Sequence, residues 1–538
     1  MRKLLTALCV VAMLSLAVSP VAAQGSKAQI DEVLSQVENI RGLSANQDIA
    51  VNFLSQKELR DKMLEEFEEE NPEEELDATQ EIMVMLGFIE PDLDLQKLLV
   101  DLYTEQIAGF YDQEDKSLYL ISEEKEKMSA MDRYVLSHEL THYLQDQNFN
   151  LMRPPFHDPE DAETVTDDDA AFAASCLAEG DAMLTSDTWL ADNLDTKEMM
   201  EMQSEAGEFS TKVFDSAPEY IQDSLLFPYQ EGKKFVEHIH DRGGYAAVNQ
   251  AFRNPPQSTE QIYHPEKYEK KETPVKVELP DLSGRLGEDW ELAYDNVLGE
   301  FDVYELFKPF FAARTASRIA EGWGGNGYHY YRSEKEGKLL MQGYAWDSDL
   351  DAQEFSSAYL KYVAGRFKGG IKEEPSRGAW RVWSAGGYML GLKKEGLFTY
   401  LLQSTEEGTF NAALEELGES GDQVREDVVE EEAQGKTGKT KDYSWLVIGA
   451  VVFLLLLGLI LVVVMLLVYR KPPGPPYQPP GGPYGPYPYQ GGGPGPFYGG
   501  PGGYGGSGFG DAAGGWGQPP HPPPPPQVPP PPPTEPAQ

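Results

Sequence analysis

Apolar residues recur every three or four positions along much of the first 190 residues, which is the spacing of amphipathic helices. The segment from Ile30 to Ile40 shows this spacing first. Ser55 and Glu58 form a possible capping box before a further apolar series. The pattern therefore predicts helices at 30–40, after Ser55 with Leu59, Met63 and Phe67 on one face, and at 92–106, 129–147 and 168–190.

The pattern changes to short alternating runs at two places, which predicts strands. Residues 117–122, with the sequence SLYLIS, form one strand candidate after a turn-like Asp115-Lys116 pair. The region 215–272 is mixed. Strand-like pieces at 338–346 and 379–401 then accompany helices near 303–320 and 351–367, in a second domain over 274–430. We therefore expect an α+β protein with a mostly helical first part that carries a small sheet.

The two ends of the chain are not globular. Arg2 and Lys3, an apolar stretch from Leu4 to Val18 and the small residues before Gln24 predict a cleaved secretory signal peptide. Leu446–Val468 is uninterrupted apolar sequence, and as a helix it would span roughly 35 Å, enough to cross a bilayer. The signal peptide would export everything before that helix, so the sequence predicts a single-pass protein of the cell membrane with an extracytoplasmic main part.

The remaining segments complete the predicted organisation. The tail is rich in Pro, Gly and Tyr, so it cannot bury a core and should be disordered in the cytoplasm. Its proline runs could bind an aromatic-grooved, polyproline-recognising partner, or the tail could be a passive linker. The predicted boundaries are 1–23 for the signal peptide, 24–107 for an N-terminal helical region, 108–272 for a catalytic domain, 274–430 for the second domain, 431–444 for a stalk, 445–469 for the transmembrane helix and 470–538 for the tail.

Composition excludes some functions. Acidic residues outnumber basic ones by 89 to 44, which gives a net charge of −45. Such a charge argues against a nucleic acid or an anionic membrane surface as the main partner. Once the signal peptide with Cys9 is removed, Cys176 is the single cysteine left, so the exported chain can form no internal disulfide.

The strongest chemical signal is the sequence His138-Glu139-Leu140-Thr141-His142. Positions i and i+4 of a helix lie on one face, so both imidazoles can reach one metal ion. Glu139 lies beside them, where a carboxylate can take a proton from a water molecule at the metal. A surface helix with two histidines is the plain alternative. The uninterrupted helix pattern and the leucines of its apolar face favour the metal site.

A catalytic zinc site needs a third protein ligand and one open position. Glu179 is the best candidate, because it follows nine uncharged residues on a helix that should be buried, and a buried carboxylate must be paired or bound to metal. A salt bridge at the helix end is the alternative for this residue. Asp181 is the second choice, or a partner for a ligand histidine. Weaker candidates in the acidic loop are Glu160, Asp161 and Glu163.

The order GFYD and SLYLIS, then HELTH, then LAEGDA on the next helix resembles the gluzincin metallopeptidases, and most of all their compact, minigluzincin-type core. The resemblance covers about 100–190 and extends to about 270. It implies Zn²⁺ bound by His138, His142 and Glu179, with Glu139 as general base. It also implies that the strand at 117–122 is an active-site edge strand that pairs with an extended peptide. Glu179 follows His142 by 37 positions, more than in thermolysin-like enzymes.

Peptide hydrolysis also needs a donor for the tetrahedral oxyanion. Enzymes of this type use a His or Tyr from a downstream segment. His264 is our candidate, with Tyr263 or Tyr268 behind it, and a structural histidine in a proline-bounded turn is the alternative. The main hypothesis is thus a membrane-anchored zinc endopeptidase that acts on proteins or peptides. A surface binding or adaptor protein with a structural or inactive metal site, and a zinc hydrolase with a non-peptide substrate, remain alternatives.

Overall fold

The computed structural model describes residues 20–420, apart from 56, 59–60, 63, 65–72, 107–108, 114, 122–127, 158–165, 207–209, 334, 336 and 369. Within these residues the chain is an α+β protein with fifteen helices and two sheets, which confirms the predicted fold class. No described helix has the length and apolarity to cross a membrane. The predicted transmembrane segment, stalk, tail and residues 1–19 lie outside the described part.

The helices follow one another along the whole of this stretch. They are α1 (Pro20–Arg41), α2 (Glu73–Leu86), α3 (Leu95–Gln106), α4 (Ala130–Phe149), α5 (Asp168–Asn193), α6 (Thr196–Ala206), α7 (Lys212–Ser216), α8 (Glu219–Arg253), α9 (Thr259–Tyr263), α10 (Pro265–Lys270), α11 (Ser283–Leu286), α12 (Glu300–Phe307), α13 (Ala313–Ala320), α14 (Asp349–Arg366) and α15 (Glu407–Ser420). The predicted helices at 92–106, 129–147 and 168–190 are confirmed with small shifts of their ends, and the one predicted at 30–40 is confirmed as the C-terminal half of the longer α1. Of the predicted helix after Ser55, the capping box is present, since the Glu58 carboxylate accepts the Ser55 amide proton at 2.9 Å, while Leu59, Met63 and Phe67 lie outside the described residues.

The strands form two separate sheets. They are β1 (Ala50–Leu54), β2 (Gly109–Asp112), β3 (Ser117–Ile121), β4 (Glu291–Asn296), β5 (Trp323–Ser333), β6 (Gly337–Trp346), β7 (Lys372–Arg377), β8 (Trp380–Ala385), β9 (Tyr388–Glu395) and β10 (Phe398–Ser404). The first three strands are arranged β1-β3-β2, and the other seven are arranged β4-β5-β6-β10-β9-β8-β7.

The small sheet corrects one prediction. The strand predicted at 117–122 is present as β3, but it is the central strand rather than an edge strand. It pairs in parallel with β1 and antiparallel with β2. The sequence pattern did not identify β1 as a strand, so it could not show that both sides of β3 are occupied. The strand beside the HExxH helix is β2, an edge strand of four residues.

The first core packs α1, α4, α5 and α8 around the small sheet. Its most deeply buried members include Val37 of α1, Leu140 and Leu144 of α4, Leu177 of α5 and Phe235 of α8. The region 215–272, which the sequence left as mixed, is largely the long helix α8. Gly243 and Gly244 interrupt its helical backbone, and Pro228 lies inside it.

The seven-stranded sheet carries helices on both faces. Tyr400 and Leu402 of β10 pack with α15, whereas Leu401 between them packs with α12, α13 and α14 on the other face. Helix α2 also packs against this sheet, and the Tyr362 hydroxyl donates to its Leu86 carbonyl at 2.7 Å. The predicted N-terminal region therefore contributes α1 to the first core and α2 to the second.

Candidate metal centre

Helix α4 presents the three residues of the HExxH motif to the protein interior. It begins at a capping box, in which Ser129 and Asp132 each accept a backbone amide proton from the other. His138, Glu139 and His142 are each at most 3% exposed. Since histidines four positions apart share a helix face, both rings point to one place inside the bundle.

Helix α5 brings Glu179 to the same place because its backbone touches that of α8. A Cβ on Gly180 would lie 2.2 Å from the Gly232 carbonyl oxygen, and a Cβ on Gly232 would lie 2.2 Å from the Cys176 carbonyl oxygen. Only glycine at both positions permits this approach. The crossing fixes the height and rotation of α5 next to Glu179.

The three side chains meet with the spacing of a metal site. Glu179 Oε2 lies 3.1 Å from His138 Nε2 and 3.5 Å from His142 Nε2, and the two ring nitrogens are 3.0 Å apart. Ligand atoms held at about 2.0–2.2 Å in a tetrahedron are about 3.3–3.6 Å from one another. Two neutral imidazoles and one carboxylate are also a donor set that suits zinc, so the residues present fit the ion.

The charges of the three residues suit a cation as well. Burial lowers the pKa of His138, so its ring is neutral near pH 7. Burial also acts to lower the pKa of His142, but the charge of Glu179 and the hydrogen bond to it raise the pKa to about 9. Burial acts to raise the pKa of Glu179, and the positive charge of His142 with the histidine hydrogen bonds outweighs it and lowers the pKa. His142 thus holds the proton that a metal ion would displace.

Glu139 lies between the histidines and the small sheet. Its Oε2 accepts the backbone amide proton of Tyr111 in β2 at 3.2 Å. Burial raises the pKa of Glu139 to about 8, although the charge of His142 and the Tyr111 hydrogen bond act in the opposite direction. A carboxylate with a pKa near neutral pH can both accept and return a proton.

A second set of contacts surrounds His142. Its Nδ1 is 3.0 Å from Oε1 of Gln145, and Nε2 of Gln145 donates to Oδ2 of Asp181 at 2.9 Å. Asp181 forms an ion pair with Arg41, 2.7 Å long, and neither side chain is exposed to solvent. Of the two roles considered for Asp181, the structure therefore gives the partner role. Glu160, Asp161 and Glu163 lie outside the described residues.

His264, the candidate oxyanion donor, contacts a different carboxylate. Its Nε2 lies 3.0 Å from Oε1 of Glu300, and the pairing with Glu300 raises the pKa of His264 despite its burial. Tyr268 donates to the Asn254 carbonyl at 2.8 Å. The aromatic residue found beside the histidines is Tyr229 of α8, whose ring centre is 6.1 Å from that of His138. No pattern in the sequence distinguishes Tyr229 from other core aromatics.

One further acidic group among the described residues has metal-like spacing, formed by Glu260, Glu272 and Asp347. The Lys267 ammonium already lies among them, 2.6 Å from Glu260 and from Asp347. Burial raises the pKa of Glu260 to about 7 despite this lysine. The group is therefore a partly exposed ion-pair network that contains its own cation.

Comparisons with known proteins concern a different part of the chain from the candidate metal centre. A family described as a domain of unknown function (DUF8575) matches residues 290–395, a stretch that runs from β4 to the end of β9. No curated protein and no solved structure matches the chain. The match does not include α4 or α5, so the metal centre has to be interpreted from its own geometry.

Proposed function

We propose that this protein is a zinc-dependent endopeptidase, anchored in the cell membrane with its catalytic part outside the cytoplasm. The observation that supports it most is the buried convergence of His138, His142 and Glu179, with separations of 3.0 to 3.5 Å between their ligand atoms. The signal-like N-terminus and the apolar segment Leu446–Val468 support the location.

Each residue has a distinct role in this proposal. His138, His142 and Glu179 would hold the zinc ion, which when bound polarises a carbonyl group and makes water more acidic. Glu139 takes a proton from the attacking water and passes it to the leaving amine. The Tyr111 amide keeps the Glu139 carboxylate turned towards β2. A purely structural zinc site would have no use for this carboxylate, which is why its presence favours catalysis over the adaptor alternative.

The substrate class follows from the position of β2. This strand lies beside α4 at the end of the small sheet, and the unpaired side of an edge strand can hold an extended peptide through main-chain hydrogen bonds. The Tyr111 amide links that strand directly to the general base. A peptide bond held along β2 would therefore lie next to Glu139.

The test is cleavage of unfolded casein by the full-length protein after zinc is removed with a chelator and then restored. We expect activity to be lost and regained in the wild type and to be absent from Glu139→Gln at either stage. Glu305→Gln is the matched control, because Glu305 is also buried and its burial also raises its pKa to about 8. Zinc binding without casein cleavage by the wild type would instead favour a binding protein or a hydrolase of other substrates.

A further inference from the structure

Arg41 is a buried charged residue beside the first core that is neither a candidate zinc ligand nor the general base. It is the last residue of α1, far from the motif in sequence, and it is fully buried. Its Nε donates to Asp181, and its Nη1 donates to Oδ1 of Asn249 at 2.6 Å. Its guanidinium carbon also lies 4.7 Å from the centre of the Tyr245 ring. Burying a cation costs free energy, so these three contacts indicate that Arg41 has a specific role in this place.

The contacts of Asp181 connect Arg41 to His142. The Gln145 side-chain nitrogen donates to Oδ2 of Asp181 and to the Ala178 carbonyl oxygen, both at 2.9 Å. Both partners only accept hydrogen bonds, so Nε2 of Gln145 must face them and Oε1 must face His142. Since Oε1 also only accepts, Nδ1 of His142 must carry a hydrogen. In the neutral ring the lone pair is therefore on Nε2, the nitrogen directed at the metal position.

We propose that Arg41 is a positioning residue of the zinc site, acting through Asp181 and Gln145 to fix the tautomer and orientation of His142. Metal-bound histidines commonly donate their second ring hydrogen directly to a carboxylate or a carbonyl group. Here a carboxamide lies between the histidine and the carboxylate, and a carboxamide can turn over. The Arg41–Asp181 pair holds it in one orientation, because an ionised Asp181 accepts from Gln145 and offers no donor in return.

The inference makes α1 part of the enzyme, and it rests on the proposed zinc site. If α1 were part of a removable pro-segment, its removal would have to leave the catalytic groups undisturbed. Removal of α1 would take the Arg41 counter-ion away from Asp181, and breaking a buried pair costs about 3–5 kcal/mol. Gln36 of α1 also accepts the indole proton of Trp189 at 2.7 Å, which ties α1 to the helix that carries Glu179.

The test compares zinc affinity in the zinc-depleted full-length chain by competition with a chromophoric chelator. We expect Arg41→Gln to bind zinc at least about tenfold more weakly than the wild type, as loss of a partner of a metal ligand does. Arg41→Lys, which keeps the charge, should recover part of that loss. Arg133→Gln is the control, since Arg133 lies on α4 and pairs with Glu198 at 2.7 Å, away from His142.

A structural role alone would lower thermal stability and leave zinc affinity unchanged, so wild-type affinity in folded Arg41→Gln would overturn the inference. If Arg41→Gln does not fold, the double variant Arg41→Gln/Asp181→Asn leaves no unpaired buried charge and takes its place, with the same expected loss of affinity and the same overturning result. Absence of zinc from the wild type would instead contradict the proposed function itself.

Discussion

The helical region around α4 and the strands of the seven-stranded sheet differ in which polar groups they bury most deeply. In the first, Arg41, Glu139, Glu179 and Asp181 are each at most 2% exposed. In the described strands of the sheet, the most deeply buried polar side chains are neutral, for example Thr399, fully buried at 0%. Burying a charge costs several kcal/mol unless it is paired or bound. The deeply buried charges of the first region therefore support the proposal that the chemistry lies there, whereas the described strands of the sheet bury neutral groups most deeply.

The family match also separates the two regions. Residues 290–395 match a family of unknown function, and that stretch holds six of the seven strands of the large sheet, β4 to β9. The metal centre lies before it along the chain, on α4 and α5. The family match and the candidate metal centre therefore lie in different regions, and each region can be tested separately.

Two buried glutamates provide the largest contrast. Glu179→Gln keeps the shape of the side chain and removes the charge that a cation needs, so we expect zinc affinity to fall by more than about 100-fold. Glu305→Gln makes the same change on α12 beside the sheet and should leave zinc affinity unaltered. Zinc titration of both full-length variants measures this. An equal effect of the two substitutions would remove the distinction between the regions.

Two glycines contrast the packing of the regions. Gly180→Ala would place a methyl group 2.2 Å from the Gly232 carbonyl oxygen, so we expect a loss of up to about 3 kcal/mol in the free energy of unfolding. Gly418 lies in α15 with open space where a Cβ would be, and Gly418→Ala should be neutral or stabilising by up to about 1 kcal/mol. Denaturant unfolding of both variants measures these changes. A Gly180→Ala variant with wild-type free energy of unfolding would refute the close crossing of α5 and α8.

The pH dependence of zinc binding should follow His142. Its pKa is raised to about 9 by Glu179, which outweighs burial, whereas burial lowers the pKa of His138. At pH 6 to 8 the metal-free site therefore holds one proton that zinc must displace, and affinity should rise about tenfold per pH unit over this range. Titrations at three pH values measure the slope. A slope near zero would show that His142 is already neutral without metal.

The smallest expected difference is between Tyr229 and His264 as the donor for the oxyanion. The sequence predicts His264 for this role, but His264 pairs with Glu300 near the sheet region, while Tyr229 lies beside His138. We expect Tyr229→Phe to lower kcat on casein by about 10- to 100-fold, since loss of one such donor costs at least that range in other enzymes. His264→Gln should have a smaller effect. A larger fall for His264→Gln would restore the prediction made from the sequence.

The sequence was sufficient for features that depend on neighbouring residues. The helix around His138 has continuous apolar spacing and a capping box, and the motif lies inside it. Glu179 could be selected because a single carboxylate that follows a run of uncharged residues on a buried helix needs a cation or a proton donor as its partner. Local pattern alone thus gave the three residues that the structure brings together.

The sequence was insufficient where distant segments meet. Pro228 and the Gly243-Gly244 pair obscured the continuity of α8, because each normally ends a helix. The parallel pairing of β1 with β3 joins residues more than 60 positions apart. Arg41 and Asp181 are separated by 140 positions, and nothing around either residue indicates the other. The sequence offered Asp181 as a partner of a ligand histidine, but Gln145 and Arg41, which connect to it on either side, were found from the structure alone.

The zinc content of the full-length protein, measured together with casein cleavage on the same preparations, tests the central claim most directly. The account predicts one zinc ion per chain in the wild type and in Glu139→Gln, almost none in His138→Ala, and cleavage by the wild type only. A wild-type chain without zinc, or a Glu139→Gln variant that cleaves casein as fast as the wild type, would contradict it.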